Sequence, residues 1–407
     1  MEKDIRIKPD LQFIKELQEV GGESLKKCYQ CATCSVACPL SPADNPYPRK
    51  EMVWAQWGLK DKLESDIDIW LCHNCGTCSD LCPRGARPAD LLAGMRNMAY
   101  KKMMTPTIIG EWMSSPKHLP KLIAIPAAIY MLIWIIRSMI LGSAFPTTED
   151  GDIVYGLLFP GDYTIDPIFM IAFGFMAWTF YKGVKNLIAS FKDQPKVFAI
   201  GDKSEKPSML ECFIDVCKNE LLTHSKWKEC GETDEADEQK FNGHRFIMVA
   251  FICLMVVTGV VAVTHWGGKI IPFLSAIGHT PMPLWHPVKI LANVGAVLLV
   301  YSLVLLTKRR LNQDQDVHGS SYYDWYLLGL IWTIAVSGVM CEILRLLGVA
   351  ILAYPMYYVH LIAVFMMFVY LPWSKLGHLV YRTAALTYAR YIGRLPMPVR
   401  EEKTFTL

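Results

Sequence analysis

Six stretches of this chain are apolar over about 20 residues each, and no other feature limits so strongly what it can fold into. Lipid offers no water to backbone N–H and C=O groups, so a crossing segment must satisfy them within itself, as an α-helix does. The stretches run roughly over residues 121–141, 166–189, 245–265, 286–307, 323–345 and 354–373. A six-helix transmembrane bundle is expected over 119–385, interrupted by a polar loop at 190–243. Composition agrees: of 407 residues, 52% are hydrophobic and only 19% charged, more apolar and less charged than a soluble domain.

If the spans alternate, Lys101, Lys102, Lys182, Lys185, Arg245, Lys308, Arg309, Arg310, Lys375 and Arg382 fall on one side. Segment 143–165 on the other side carries Glu149, Asp150, Asp152 and Asp162. Positive residues stay in the cytoplasm, so both termini are expected there, with the chain in the inner membrane. The first hundred residues hold no apolar core segment of a signal peptide, which agrees. The net charge of +3, without a basic run, excludes nucleic acid as a partner.

Residues 1–118 are mixed and polar. Leu11, Ile14 and Leu17 recur at helical spacing after Pro9 and stop at Gly21-Gly22; residues 88–104 predict a second helix opened by Pro88. Between them the cysteines dominate. Cys28-x2-Cys31-x2-Cys34-x3-Cys38-Pro39 is repeated as Cys72-x2-Cys75-x2-Cys78-x3-Cys82-Pro83. Both copies have the spacing in which three close thiolates hold three irons of a cubane and the fourth serves the other cluster. Two [4Fe-4S] clusters follow, one on Cys28, Cys31, Cys34 and Cys82, the other on Cys72, Cys75, Cys78 and Cys38. Zinc sites pair two Cys-x2-Cys corners across a longer loop and fit this pattern poorly. Cys253 and Cys341 read as small buried hydrophobes. Cys212, Cys217, His224 and Cys230, in the polar loop, have no diagnostic spacing.

Ionisable groups inside a bilayer are costly and point to function. His360 and His378 bound an apolar stretch, 18 residues apart. On one helix that is five turns, so both would face one way roughly 27 Å apart. This separation suits two haems b, one near each membrane face, each with axial imidazoles from facing helices. His244 is the expected second ligand at the cytoplasmic side, opposite His378. At the outer side, His286 or His265 would meet His360; equal residue counts to the following basic residues favour His286. His265 and His279 otherwise read as interfacial polar groups, and a proton relay in a metal-regulated transporter is the rival reading. Lys269, Lys289, Glu342 and Arg345 lie where a quinone could bind. Without Cys-x-x-Cys-His, covalent haem attachment is excluded. No nucleotide loop or hydrolytic triad stands out, so flavin and substrate belong elsewhere.

The motif LPWSKLGH, ending at His378, resembles the haem-binding last helix of the nitrate reductase gamma subunit family, over about 240–385. The twin CxxCxxCxxxCP motif resembles the small iron–sulfur subunit of heterodisulfide reductase, over 10–110. A chain joining both resembles the membrane subunit of quinone-interacting membrane-bound oxidoreductase complexes. That resemblance implies an all-α fold, a helical two-cluster ferredoxin-like domain followed by the haem-binding bundle and a tail at 386–407. It implies electron transfer between menaquinol and soluble flavin and iron–sulfur subunits serving adenylylsulfate reductase in sulfate respiration. A membrane-bound heterodisulfide reductase using methanophenazine or menaquinone is the nearest alternative. The nitrate reductase family carries a second ligand ten residues after the first on its early helix, where this chain has Leu254 after His244. The outer haem's second ligand is therefore open.

Overall fold

The computed structural model describes residues 8–42, 45–191, 207–222, 235–278, 281–314 and 316–395. His224, Cys230, His279 and the tail beyond residue 395 lie outside the described residues. The fold is all-α: among the described residues there is no strand.

The N-terminal part is a set of short helices: α1 (Leu11–Leu17), α2 (Thr33–Val36), α3 (Arg49–Gln56), α4 (Lys60–Glu64), α5 (Asp68–Leu71), α6 (Thr77–Asp80), the long α7 (Pro88–Met103) and α8 (Thr107–Met113). Asp10 caps α1 by accepting from the Phe13 N–H. Gly21, with φ of 143°, bends the chain at the expected stop and lies against the Asp90 and Gly94 backbone, where a Cβ would collide. Pro88 occupies the first turn of α7, where its missing N–H costs nothing. Helices α3 to α6 fall between the two helices that the sequence predicts: they have one or two turns each, and burial of Met52, Leu63, Ile69 and Trp70 holds them rather than periodicity.

The spans are α9 (Leu119–Leu141), α11 (Asp166–Ser190), α13 (Glu235–Gly268), α15 (Pro287–Asn312), α16 (Tyr322–Leu346) and α17 (Ala350–Val369); the short α10 (Tyr155–Leu158), α12 (Met209–Val216) and α14 (Pro272–Gly278) lie in connections. All six spans are long and apolar enough to cross a membrane. Their outward faces carry exposed Ile135, Met139, Ile171, Phe173, Val297 and Val304, as expected of surface that meets lipid. Helix α17 packs on α16, α9 and α11, whereas α13 pairs chiefly with α15. Gly295 of α15 permits that pairing: a Cβ there would stand 3.2 Å from Cys253 and 3.3 Å from Leu254. Within the bundle Lys289 and Glu342 pair at 2.9 Å, and Asn293 donates to the same carboxylate. Two candidate quinone residues thus satisfy each other, as charges inside a bilayer must. Lys269 pairs with Asp162 at 2.8 Å.

One sequence expectation fails here. Residues 360–378 are not one helix. Helix α17 ends at Val369, two 3-10 turns follow at Leu371–Trp373 and Lys375–Gly377, and α18 (His378–Tyr391) begins afresh at the histidine. Pro372 is the cause: it has no N–H to give the preceding turn, and its ring disfavours a helical residue before it. The Ser374 hydroxyl then accepts from the Leu376 N–H and starts the next turn. The 27 Å spacing on a common face therefore does not hold. His360 sits midway along α17, about 15 Å from either end at the usual helical rise, rather than near the outer face.

The cysteine domain sits at the basic end of the bundle and shares a continuous core with it. Phe13, Leu17, Trp70, Met95 and Tyr100 from the N-terminal part pack in one cluster with Trp373, Tyr381 and Ala385. Tyr381 of α18 meets Trp70 at 6.1 Å and Tyr100 at 5.8 Å between ring centroids, and those two rings meet edge-on at 5.9 Å. Charges lock the same seam: Arg394 donates to Asp68 at 2.6 Å and 3.0 Å. Such aromatic pairs add roughly 0.5–1.5 kcal/mol beyond the area they bury.

Tyr381→Ala should cost about 3–5 kcal/mol, read as a lower thermal unfolding midpoint in detergent. Tyr381→Phe should cost little, since the buried Tyr381 hydroxyl has no hydrogen-bond partner to lose.

Candidate functional site

The two cysteine motifs fold alike. In each, two residues adopt positive φ at the same offsets: Gln30 (61°) and Ala32 (71°), then Asn74 (55°) and Gly76 (103°). Left-handed conformations cost side-chain-bearing residues about 1–2 kcal/mol each, and here they curl the loop around a common centre. The N–H groups of Gln30 and Asn74 point at the first sulfur of their motifs, 3.4 Å to Cys28 and 3.2 Å to Cys72, and the Ala86 N–H reaches Cys82 at 3.3 Å. The Thr33 and Thr77 hydroxyls lie 3.3 Å and 3.4 Å from the Cys31 and Cys75 sulfurs. Short helices α2 and α6 then bring Cys34 and Cys78 together against Ala89.

Two cavities result. One is lined by Cys28, Cys31, Cys34 and Cys82; the other by Cys38, Cys72, Cys75 and Cys78. Each gathers three cysteines of one motif and the last cysteine of the other. The thiols are poor acids as they stand: burial pushes Cys34 up to about 11 and Cys38 up to about 12, with neighbouring thiols adding to both, and drives Cys78 well above its ordinary range. Cys31 goes the other way because the Thr33 hydroxyl and N–H hydrogen-bond its sulfur. Four converging sulfurs that resist ionisation next to one another call for a cation to hold them as thiolates. The residues fit a [4Fe-4S] cluster in each cavity.

The cavities differ in setting. The first is at the surface: Cys31 is exposed, and Tyr29 is exposed beneath the Arg84 guanidinium. The second is lined as well by Tyr47, Pro48, Leu92 and His73. Arg382 of α18 hydrogen-bonds His73 Nε2 at 2.7 Å, and Arg96 of α7 donates to the Ile69 and Cys72 carbonyls at 2.6 Å and 3.3 Å. His318, in the connection between α15 and α16, lies against Gly76 and pairs with Asp80 at 2.8 Å. A Cβ on Gly76 would collide with that ring, so glycine serves both the positive φ and the docking. Sequence reading missed Tyr47, His73, Arg96, His318 and Arg382 as residues of the site. Only two left a signal: His73 follows Cys72 directly, and Arg382 lies one turn after His378.

The membrane histidines separate into two kinds. His378 Nδ1 lies 2.7 Å from the Lys375 carbonyl, and burial pushes its imidazole down to about 4, with Arg382, Lys375 and Arg96 adding to the drop. It is therefore neutral with the proton on Nδ1, leaving Nε2 for a metal. His360 is held the same way, Nδ1 at 3.0 Å from the Ser337 hydroxyl on α16, with Gly338 making room for the ring. Both fit an axial haem ligand. His286 and His265 do not fit as they stand. His286 caps α15 by accepting from the Val288 N–H through Nδ1, which puts the proton on Nε2, and His265 Nε2 is bonded to Asp162. His244 lies half-buried at the basic end of α13. Leu254, ten residues on, packs against Gly295. Cys212 is buried in α12, and Cys341 accepts from the Tyr155 hydroxyl through its carbonyl.

A family model described as 4Fe-4S dicluster domain matches residues 24–86. A subunit of the H(2):CoB-CoM heterodisulfide,ferredoxin reductase from Methanothermobacter marburgensis is 38% identical over 93 residues, 23% of this chain and 50% of that protein. A CoB--CoM heterodisulfide reductase iron-sulfur subunit from Methanocaldococcus jannaschii is 39% identical over 98 residues, 22% of this chain and 52% of that protein. A heterodisulfide reductase subunit-like protein from Archaeoglobus profundus is 34% identical over 83 residues, 20% of this chain and 44% of its own length. The chain spans about half the length of the curated relatives it matches. No solved structure matches it. The cysteine region is thus homologous to the iron–sulfur subunit of heterodisulfide reductase.

Cys82→Ser should abolish the first cluster although Cys82 belongs to the second motif, and Cys38→Ser the second. Iron per chain should fall from about eight to about four in each, and EPR of the reduced protein should lose a different signal in each variant.

Proposed function

We propose that this chain is the membrane electron-transfer subunit of a quinone-linked oxidoreductase complex. It relays electrons between the menaquinone pool and soluble flavin and iron–sulfur subunits serving adenylylsulfate reductase in sulfate respiration. The basic end of the bundle, both termini and the cysteine domain lie in the cytoplasm. The domain is taken as residues 1–118, the bundle as 119–385 and the tail as 386–407.

The observation that carries this reading is the bond from Arg382 to His73. His378, a neutral imidazole suited to a haem, and Arg382 are four residues apart on α18, a rise of about 6 Å. Arg382 in turn holds the wall of the second cysteine cavity. Membrane and soluble redox sites are thereby joined within one helical turn. When bound, haem b and two [4Fe-4S] clusters supply the one-electron carriers.

The chain's own residues position and insulate. Cys72, Cys75, Cys78 and Cys38 would hold one cluster, and Cys28, Cys31, Cys34 and Cys82 the other, nearer the partner subunits. The Lys375 carbonyl holds His378 Nδ1 and leaves Nε2 free, so His378, together with His244, would hold a haem b. Arg96 and Arg382 anchor the backbone around Cys72. His360 would serve a second haem, but neither His286 nor His265 fits as its partner, and no step is derived through that group.

A second reading is favoured by the archaeal relatives: a subunit of a heterodisulfide reductase-type complex, using menaquinone or methanophenazine. The partners that copurify decide between the two.

Visible spectra of the purified chain, with pyridine haemochrome and iron analysis, test the relay. The expected result is haem b together with about eight non-haem irons. His378→Ala should lose haem absorbance while keeping iron. A colourless chain holding zinc would overturn the reading.

A further inference from the structure

The second cavity contains a polar group left without a partner. Tyr47 lines it and is 1% exposed, yet its hydroxyl makes no hydrogen bond. An orphaned buried hydroxyl is costly, and such groups in native proteins call for an explanation. The side chain is not loosely placed. Tyr47 stands between Pro46 and Pro48, which restrict its backbone, and its N–H donates to the Ser41 hydroxyl at 3.0 Å. A phenol is an O–H donor at neutral pH, and this one lines the same cavity as Cys38, Cys72, Cys75 and Cys78.

We infer that Tyr47 Oη donates a hydrogen bond to a sulfur of the cluster held by Cys38, Cys72, Cys75 and Cys78, and so raises the reduction potential of that cluster. This rests on the cluster reading above. Reduction adds one electron, delivered from the membrane domain, and no bond forms or breaks and no proton moves. The extra negative charge is favoured by a donor aimed at sulfur. Tyr47 acts together with the Arg382 guanidinium, which holds the adjoining wall through His73. The first cavity has no equivalent among its described residues: its tyrosine, Tyr29, is 67% exposed.

The test uses the full chain, with iron and acid-labile sulfide counted and EPR-monitored redox titration of both clusters. Cys38→Ser identifies the signal of the second. Tyr47→Phe removes one oxygen and leaves the ring. It should lower the midpoint of that signal by the equivalent of roughly a tenfold change in the reduction equilibrium, the size expected of one hydrogen bond to a charged group, and leave the other signal in place. Tyr29→Phe should move neither. Replacing Tyr47 site-specifically by 3-fluorotyrosine, a stronger donor, should move the same signal upward, and it carries the test if Tyr47→Phe loads poorly. Unchanged midpoints at full iron content overturn the inference and leave the cluster reading standing. A parent chain without about eight irons overturns the cluster reading itself.

Discussion

The arrangement depends on one seam, where α18 leaves the membrane end of the bundle and plugs into the cysteine domain. Tyr381 packs on both Trp70 and Tyr100, Arg382 reaches His73, and Arg394 grips Asp68. Separately these contacts are of ordinary strength. Together they place the histidine that starts α18, and the cavity wall beyond it, in fixed register. The buried carboxylates on the domain side make the seam selective as well as strong. Glu51, Asp66 and Asp68 crowd around Lys50, and burial with mutual repulsion raises the pKa of Glu51. The cluster is relieved when Arg394 arrives. Removing one partner of so buried a network leaves an uncompensated charge, which is far costlier than losing a surface pair.

The spans were legible because the bilayer leaves the backbone one solution, and run length with charge content suffices to find it. The short helices of the cysteine domain were not. At four to eight residues they are too brief for a period to register, and tertiary burial decides them. The expectation of one helix over 360–378 broke on a local rule that the sequence did contain. The stretch is apolar throughout, but Pro372 within it removes a donor and displaces its neighbour from helical geometry. The error carried into depth. Counting 3-10 turns as α-helix placed His360 level with His286, whereas His360 lies at mid-span and His286 at a helix cap.

The cysteine site divides in the same way. Spacing implied which eight cysteines gather and how the motifs cross, since such a loop's geometry is a local property of a short segment. The surroundings of each cavity depend on which distant elements pack there, and sequence carries almost no trace of that. Tyr47, Arg96 and His318 come from three separate segments. None has a spacing to recommend it, and each is defined by what it touches.

Crossed ligation has a further physical consequence. If each cluster takes its fourth sulfur from the other motif, neither motif closes without its partner, and loop closure in one is coupled to metal binding in both. The contact of Cys34 with Cys78 over Ala89 then fixes the separation of the two clusters through short helices rather than through a linker. The seam does the same between the second cluster and His378. Every interval in the proposed relay within this end of the molecule is thus set by packed side chains. Packed interiors deform little, so the distances that govern electron transfer are held by the core itself, and substitutions in that core should be felt in redox behaviour before they are felt in the membrane bundle.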